Sequence, residues 1–193
     1  MPKGEFDMNE GTNKVKISIT GDLGSGKSTV CRYLKEKYGM NVYSIGQIQR
    51  SLAQKYDMDV LAFNKYMETH PEIDEEIDTE LTKIGKRNED MVLDSRMAWH
   101  FVPDSFKVYL TVDPDEAARR VINDQRGKVE TYSCHKNARD CLIERKRSEN
   151  LRYITKYGVD CSNLDNYDLI IDATSISPEQ VSDKIMEAAS RSE

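Results

Sequence analysis

Short apolar runs and stretches of helical spacing alternate along the chain. The apolar runs predict five β-strands, at residues 15–20, 41–43, 90–93, 106–112 and 168–172. Some of them, residues 90–93 above all, are apolar at successive positions, as parallel strands buried on both faces are. Because helical patterns separate these strands, the sequence predicts a doubly wound, five-stranded parallel sheet of the α/β class.

Helical spacing is clearest after the first strand. Val30, Leu34 and Tyr38 lie at i, i+4 and i+8 and predict a helix over residues 27–38 with one buried stripe, and Gly39 predicts its end. Further helices are predicted between the second and third strands. Because they interrupt the sheet, they indicate an inserted helical subdomain, whose last helix has an apolar stripe at Ile73, Ile77, Leu81 and Ile84.

Length and charge restrict the function. A chain of 193 residues predicts one domain with an insertion, and we expect residues 1–14 to form a flexible tail before a single domain over 15–193. The net charge of −6 argues against general nucleic-acid binding, so any polyanionic ligand is expected to be small. No apolar run approaches the length of a membrane span. We expect a cytoplasmic protein, a monomer or weak homo-oligomer.

Four cysteines support a reducing compartment. They form no C-x-x-C pair, and residues 1–14 lack the apolar segment of a secretory signal. Cys134, His135, Cys141 and Cys161 have a spacing that fits no standard zinc signature, so we do not expect metal there.

The most specific motif joins the first strand to the first helix. It reads G-x-x-x-x-G-K-S, the pattern of a phosphate-binding P-loop, and it has the required strand before it and helix after it. Backbone N–H groups and the helix N-terminus bind phosphates there, Lys27 reaches the β- and γ-phosphates, and the Ser28 hydroxyl can bind Mg²⁺. The predicted ATP-binding residues of the loop are Gly21, Asp22, Leu23, Gly24, Ser25, Gly26, Lys27, Ser28 and Thr29.

A second group of candidates follows the third strand. Ligands of open α/β sheets bind beyond the carboxyl ends of the strands, so Asp94 and Arg96 are expected to face the same crevice as the P-loop. Asp94 either binds Mg²⁺, as a Walker B acid does, or fixes Arg96. A purely structural carboxylate is the third alternative.

Two segments differ in charge from the rest of the chain. Residues 66–82 contain seven carboxylates and no lysine or arginine, which indicates either a metal or basic-partner surface or, as we favour, a solvated helix face. Residues 119–152 contain ten lysines and arginines against five carboxylates. Within them Arg145, Glu149 and Arg152 fall on one helical face, which suits a second phosphate group.

A helical face of this kind indicates that the acceptor of the phosphoryl group is itself a phosphate. An alcohol acceptor requires a general base, whereas the oxygen of a phosphate monoester is already anionic near neutrality. Arginines that align two phosphates then matter more than a base. Arg50, Arg96, Arg145 and Arg152 lie on separate elements that could converge on one acceptor, which favours a nucleoside monophosphate kinase over a sugar or alcohol kinase.

These motifs, with Ser44-Ile45-Gly46, residues 70–78, Asp94-Ser95-Arg96 and residues 157–160 and 167–171, make residues 15–186 resemble the cytidylate kinases, in particular the archaeal type. The resemblance implies phosphotransfer from ATP with Mg²⁺. It also implies a nucleoside monophosphate-binding insertion at about 44–88 and a helical lid at about 123–150.

The resemblance also implies roles for individual residues. The implied acceptor-binding residues are Ser44, Gly46, Arg50, Asp94, Arg96, Arg145, Glu149 and Arg152. Lys27, Arg96, Arg145 and Arg152 are the implied catalytic residues. Ser28, from the P-loop pattern, and Asp94, from its place at the end of the third strand, are the predicted metal ligands. Of three arginines at the base of the lid, Arg119 and Arg126 are assigned to ATP and Arg120 stays an alternative.

Three positions depart from the family pattern. Ser95 replaces a glycine, Gln49 replaces an aromatic or aliphatic residue, and Asp22 adds a carboxylate inside the phosphate loop. They leave open whether the acceptor is CMP, dCMP, UMP or another nucleotide. The alternatives to this enzyme are a P-loop kinase of another small molecule and a non-catalytic nucleotide-binding regulatory protein.

Overall fold

One parallel sheet forms the centre of the protein. A computed structural model describes residues 14–58, 60–123 and 135–191. The strands lie in the order β2-β3-β1-β4-β5, and each neighbouring pair is parallel. They are β1 (Lys16–Gly21), β2 (Asn41–Ser44), β3 (Met91–Asp94), β4 (Phe106–Thr111) and β5 (Leu169–Asp172). The predicted α/β class and five-stranded parallel sheet are confirmed.

Helices connect the strands at the positions that the apolar spacing predicts. They are α1 (Lys27–Tyr38), α2 (Ile45–Lys55), α3 (Val60–Thr69), α4 (Pro71–Gly85), α5 (Ala98–Phe101), α6 (Pro114–Asn123), α7 (His135–Tyr157) and α8 (Pro178–Ala189). The short α5 was not predicted, since four residues are too few to display a helical period. No helix in the described ranges is long and apolar enough to cross a membrane.

The main core lies between the sheet and the pair α1 and α8. Val30 and Leu34 of α1 pack against Ile17 and Ile19 of the central strand, and all four side chains are almost fully buried. The prediction that Tyr38 continues this stripe is wrong: its side chain is 37 % exposed, and its hydroxyl donates to Asp183 of α8 at 2.6 Å. Gly39 ends α1 in the left-handed conformation, as predicted.

The helices between β2 and β3 have a small core of their own. Phe63, Met67, Ile73 and Ile77 of α3 and α4 are buried together with Ala53 of α2. Farther along α4, Leu81 and Ile84 pack against β3. This separate cluster is compatible with the nucleotide-binding insertion at about 44–88, which stays a prediction. The lid at about 123–150 also stays a prediction, and residues 1–13 and 124–134 lie outside the described part.

The sheet brings the sequence motifs to one edge. Gly21 at the end of β1 lies opposite Leu110 of β4, and Ile19 lies opposite Asp94 of β3. The P-loop and the Asp94-Ser95-Arg96 segment therefore leave the sheet side by side, at the carboxyl ends of parallel strands, where α/β proteins bind ligands.

Candidate active site

The P-loop depends on glycines for its course. Gly24 and Gly26 have φ angles of +78° and +88°, which side chains rarely allow. A Cβ atom on Gly24 would also lie 2.9 Å from the backbone of Ala117 in α6. These glycines let the loop turn tightly and pack on α6 while its end becomes the N-terminus of α1, as anion binding requires.

The Lys27 side chain folds back onto the start of the P-loop. Its ammonium donates to the backbone carbonyls of Gly21 and Asp22, each at 2.9 Å. Burial, and then the nearby Arg96 cation, lower the pKa of Lys27 from 10.5 to about 8. Asp94 and Asp22 oppose this shift. At the end of the P-loop, Lys27 therefore interacts electrostatically with the Arg96 cation and with the carboxylates of Asp94 and Asp22.

The carboxylate of Asp22 is held away from the loop. One of its oxygens accepts from the Tyr109 hydroxyl at 2.9 Å and from Lys146 Nζ at 2.6 Å, and the other accepts from the Val112 N–H at 3.3 Å. Asp22 therefore lies in the P-loop, as predicted, but its side chain binds β4 and α7. Leu23 packs against a small apolar cluster that includes Ala118 of α6 and Leu142 of α7.

Arg120 of α6 links the P-loop to the segment after β5. Its guanidinium donates to the carbonyls of Ala173 and Thr174 at 2.7 and 2.9 Å and approaches that of Gly24 at 3.4 Å. Arg119, which was assigned to ATP, makes two hydrogen bonds of 2.7 Å to Glu116, and its side chain is 60 % exposed. Arg126, the other assigned residue, lies outside the described residues.

Asp94 and Ser95 form the edge of the site at the end of β3. Asp94 accepts from the Ser44 hydroxyl at 3.3 Å. The Ser95 carbonyl accepts from Thr20 at 3.1 Å, and the Ser95 hydroxyl accepts from the Met97 N–H at 3.2 Å. The serine that replaces the family's glycine therefore has a place in the turn after β3.

A three-residue cluster connects β3 to α7. Glu149 of α7 contacts Arg96 through one oxygen, at 2.6 Å, and Arg145 through the other, at 2.9 Å. The predicted pairing of Arg145 with Glu149 along one helical face is present, and Arg96 joins it. Glu149 thus holds two guanidinium groups together, and one of them, that of Arg96, lies close enough to Lys27 to lower its pKa.

Arg152 belongs to a separate contact, between α7 and α4. Asp74 of α4 contacts Arg152 at 3.1 Å and Lys156 at 2.7 Å, and its side chain is only 14 % exposed. Tyr157 donates to Asp78, one turn farther along α4, at 2.7 Å. The interpretation of residues 66–82 as a solvated face is therefore wrong for Asp74 and Asp78, which face the basic helix.

Not every predicted residue belongs to one contact network. Arg96, Arg145 and Glu149 do, whereas Arg152 binds α4, and the side chain of Arg50 in α2 lies outside the described residues. Of the zinc ligands considered above, Cys134 lies outside the described residues. Within the described ranges no three His, Cys, Asp or Glu side chains are grouped so that they could hold a metal. Sequence reasoning also missed Asp74, Lys146 and Tyr109.

Comparisons with known proteins identify the family. A family model described as an AAA domain matches residues 17–152. The cytidylate kinase of Methanothermobacter thermautotrophicus is 33 % identical over 163 residues, which are 84 % of this chain and 98 % of that protein. The chain belongs to the cytidylate kinase family. It is accordingly a phosphotransferase, and the resemblance stated from its motifs is confirmed.

A second relative is a much longer protein than this chain. An S-adenosylmethionine-dependent nucleotide dehydratase of Lacinutrix mariniflava is 31 % identical over 175 residues, which are 90 % of this chain but 36 % of that protein. The chain thus spans about a third of that relative. Among solved structures, shikimate kinase from Acinetobacter baumannii in complex with shikimate matches with a TM-score of 0.61, at 16 % identity over 93 % of this chain and 95 % of that one. That likeness shows the P-loop kinase fold.

Proposed function

We propose that the protein is an ATP-dependent nucleoside monophosphate kinase that converts CMP or dCMP to CDP or dCDP. The observation that carries this proposal is the cluster in which Glu149 holds Arg96 and Arg145, with Arg96 close enough to Lys27 to lower its pKa. A lysine of the P-loop near an arginine that a carboxylate links to a second arginine suits two phosphate groups that must approach each other despite their charge. The names of the cytidylate kinase relatives support the choice of base.

On the donor side, backbone N–H groups of the P-loop and Lys27 would bind the β- and γ-phosphates. Ser25 is 2 % exposed, and its hydroxyl is buried with no hydrogen-bond partner within the described residues, so it is suited to a ligand oxygen. Its placement inside the loop favours a phosphate. The proposed ATP residues of the loop are therefore supported by its backbone and by one unpartnered buried hydroxyl.

On the acceptor side, Arg96 and Arg145 would hold the phosphate of the monophosphate in line with the γ-phosphate. An acceptor oxygen attacks the γ-phosphorus, and the bond from that phosphorus to the bridging oxygen breaks, so that ADP leaves with the bond's electron pair. Because the second pKa of a phosphate monoester is about 6, the attacking oxygen needs no base at pH 7. The arginines disperse the charge of the transferring group.

Ser28 and Asp94 are the proposed ligands for Mg²⁺. Ser28 lies exposed on the first turn of α1, and Asp94 lies within electrostatic range of Lys27. A hydroxyl and a carboxylate are oxygen ligands of the kind that Mg²⁺ prefers, so the residues present fit the ion. When bound, it would neutralise charge on the donor phosphates. We further propose a cytoplasmic setting, which suits the free thiols of Cys31, Cys141 and Cys161.

A panel of acceptors tests this function. ADP release is measured with ATP and each common ribo- and deoxyribonucleoside monophosphate, with shikimate as a hydroxyl acceptor, and with Lys27→Ala as the control for contaminating kinases. We expect the highest kcat/KM for CMP or dCMP. Turnover with shikimate alone would instead favour a small-molecule alcohol kinase, with Asp94 as the candidate base. ATP binding without turnover for any acceptor would favour a non-catalytic regulatory protein.

A further inference from the structure

An acidic side chain inside a phosphate loop needs an explanation. Asp22 follows the first glycine of the P-loop, and its carboxylate acts electrostatically on Lys27, the residue that binds donor phosphates in such loops. A carboxylate within reach of that lysine is also within reach of the phosphates, which it repels. The chain must either tolerate this repulsion or compensate for it.

Lys146 supplies the compensation. Its ammonium contacts the Asp22 carboxylate at 2.6 Å and lies 5.8 Å from the centre of the Tyr109 ring. The Tyr109 hydroxyl and the Val112 N–H donate to the same carboxylate, so Asp22 has one cation and two neutral donors around it. The Asp22 side chain is 16 % exposed and that of Lys146 is 41 % exposed, so solvent screens the carboxylate less than the ammonium.

The pair joins two distant parts of the chain. Lys146 lies 124 residues after Asp22, on α7, directly after Arg145 and three residues before Glu149. The helix that presents the two acceptor-side residues therefore also presents the cation that neutralises the P-loop acid. Lys146 contacts the side chain of Asp22, so removing it would take away the cation that pairs with this carboxylate.

We propose that Lys146 is a positioning residue of the donor site, which acts through Asp22: it neutralises that carboxylate and holds it toward β4 and α7, so that a P-loop containing an acid can bind the phosphates of a nucleoside triphosphate. This inference rests on the proposed use of ATP as the donor. It assigns Lys146 no contact with ATP itself.

Binding of three nucleotides to Lys146→Met tests the proposal. Methionine keeps most of the apolar stem over Tyr109 and removes the charge. Calorimetry without acceptor or Mg²⁺ should show ATP binding weakened about five- to tenfold, ADP binding weakened less, and adenosine binding unchanged, because the repulsion grows with phosphate charge. The loss should shrink in 0.5 M salt, which screens charges but does not restore packing.

The double variant Asp22→Asn/Lys146→Met separates charge from structure. An asparagine can accept from the Val112 N–H and donate to the Tyr109 hydroxyl, so it satisfies the same neighbours without a charge. Its affinity for ATP should return to within about twofold of the wild type. Lys146→Arg should also retain affinity. Lys136→Met, on the exposed start of α7, is the matched control for loss of one cation and should leave affinity unchanged.

An equal loss for adenosine and ATP, or no recovery in the double variant, would overturn the proposal and assign Lys146 to packing. A wild type that does not bind ATP would overturn it as well. The measurement is independent of the acceptor. If ATP binding follows the expected pattern while no monophosphate is phosphorylated, the proposed kinase function fails and the role of Lys146 stands.

Discussion

The phosphate loop and the proposed acceptor side of the site differ in how the fold holds them. The loop is nine consecutive residues, from Gly21 to Thr29, and its shape comes from glycine conformations and from backbone contacts with β4 and α6. The proposed acceptor side consists of side chains from the turn after β3, from α4 and from α7, which meet through ion pairs and through the hydrogen bond from Tyr157 to Asp78. Arg96 and Glu149, for example, are 53 residues apart in the chain.

This difference separates the general recognition of polyphosphates from the choice of a specific substrate. A backbone site is set by the path of the chain and recognises any polyphosphate that fits it. A side-chain site can be altered by single substitutions. Its arginines already contact carboxylates, so an incoming phosphate must compete with those carboxylates for the guanidinium groups. We therefore expect substrate choice to be encoded on the acceptor side, and substitutions on the two sides to affect different kinetic constants.

The largest effect is expected where the donor site depends on one side chain. Lys27→Ala removes the only lysine of the loop and should lower kcat about a hundred- to a thousandfold, as loss of a charge-stabilising donor does in other enzymes. Steady-state kinetics with CMP and ATP measure it. Lys35→Ala, on the exposed face of α1, is the control and should leave kcat unchanged. A Lys27→Ala enzyme with near-normal kcat would remove the P-loop from the mechanism.

Glu149→Gln tests whether the acceptor side works as a cluster. Glutamine keeps the size of the side chain but loses the charge that holds Arg96 and Arg145 together. We expect kcat/KM for the acceptor to fall about thirtyfold, the loss that results when bidentate positioning of two guanidinium groups fails, while the KM for ATP changes less than twofold. Glu144→Gln, an exposed neutralisation on the same helix, is the matched control. A rise confined to the KM for ATP would place Glu149 on the donor side.

The same contrast decides what could be predicted from sequence. The P-loop, α1 and the strands were predictable because their signals are local: glycine spacing, apolar runs and helical periods over a few residues. The pairing of Arg145 with Glu149 was predictable for the same reason, since it needs only a helix. Contacts such as Asp22 with Lys146 join residues more than a hundred positions apart, and nothing local specifies them.

One signal could have located the contact between α4 and α7. The acidic excess in residues 66–82 and the basic excess in residues 119–152 are complementary, and two such segments in one domain are candidates for packing against each other. Each segment considered alone has a solvated face as its simplest interpretation. Only the fold shows that Asp74 and Asp78 turn toward α7.

Dependence on pH gives a smaller effect that is again specific to the donor side. Burial and Arg96 lower the pKa of Lys27 to about 8 in the free enzyme, so Lys27 is cationic below that pH and loses its charge above it. Because the charged form binds phosphate, kcat/KM for ATP should fall about tenfold per pH unit above 8. Bound phosphates stabilise the ammonium, so with saturating ATP the KM for CMP should stay flat to about pH 9. A flat profile for ATP would contradict the assignment of Lys27.

The smallest effect is expected at the contact between α4 and α7. Asp74→Asn removes the carboxylate that Arg152 and Lys156 share, and both cations are partly exposed, so the pair contributes modestly. The KM for CMP should rise about three- to fivefold, equivalent to at most about 1 kcal/mol, with the KM for ATP unchanged. Glu76→Gln is the control: it lies on the same helix, is 47 % exposed and contacts Lys55 at 3.8 Å. A lower KM for CMP in Asp74→Asn would mean that Asp74 competes with the acceptor for Arg152 rather than positioning Arg152. The ion pair between α4 and α7 would then weaken substrate binding.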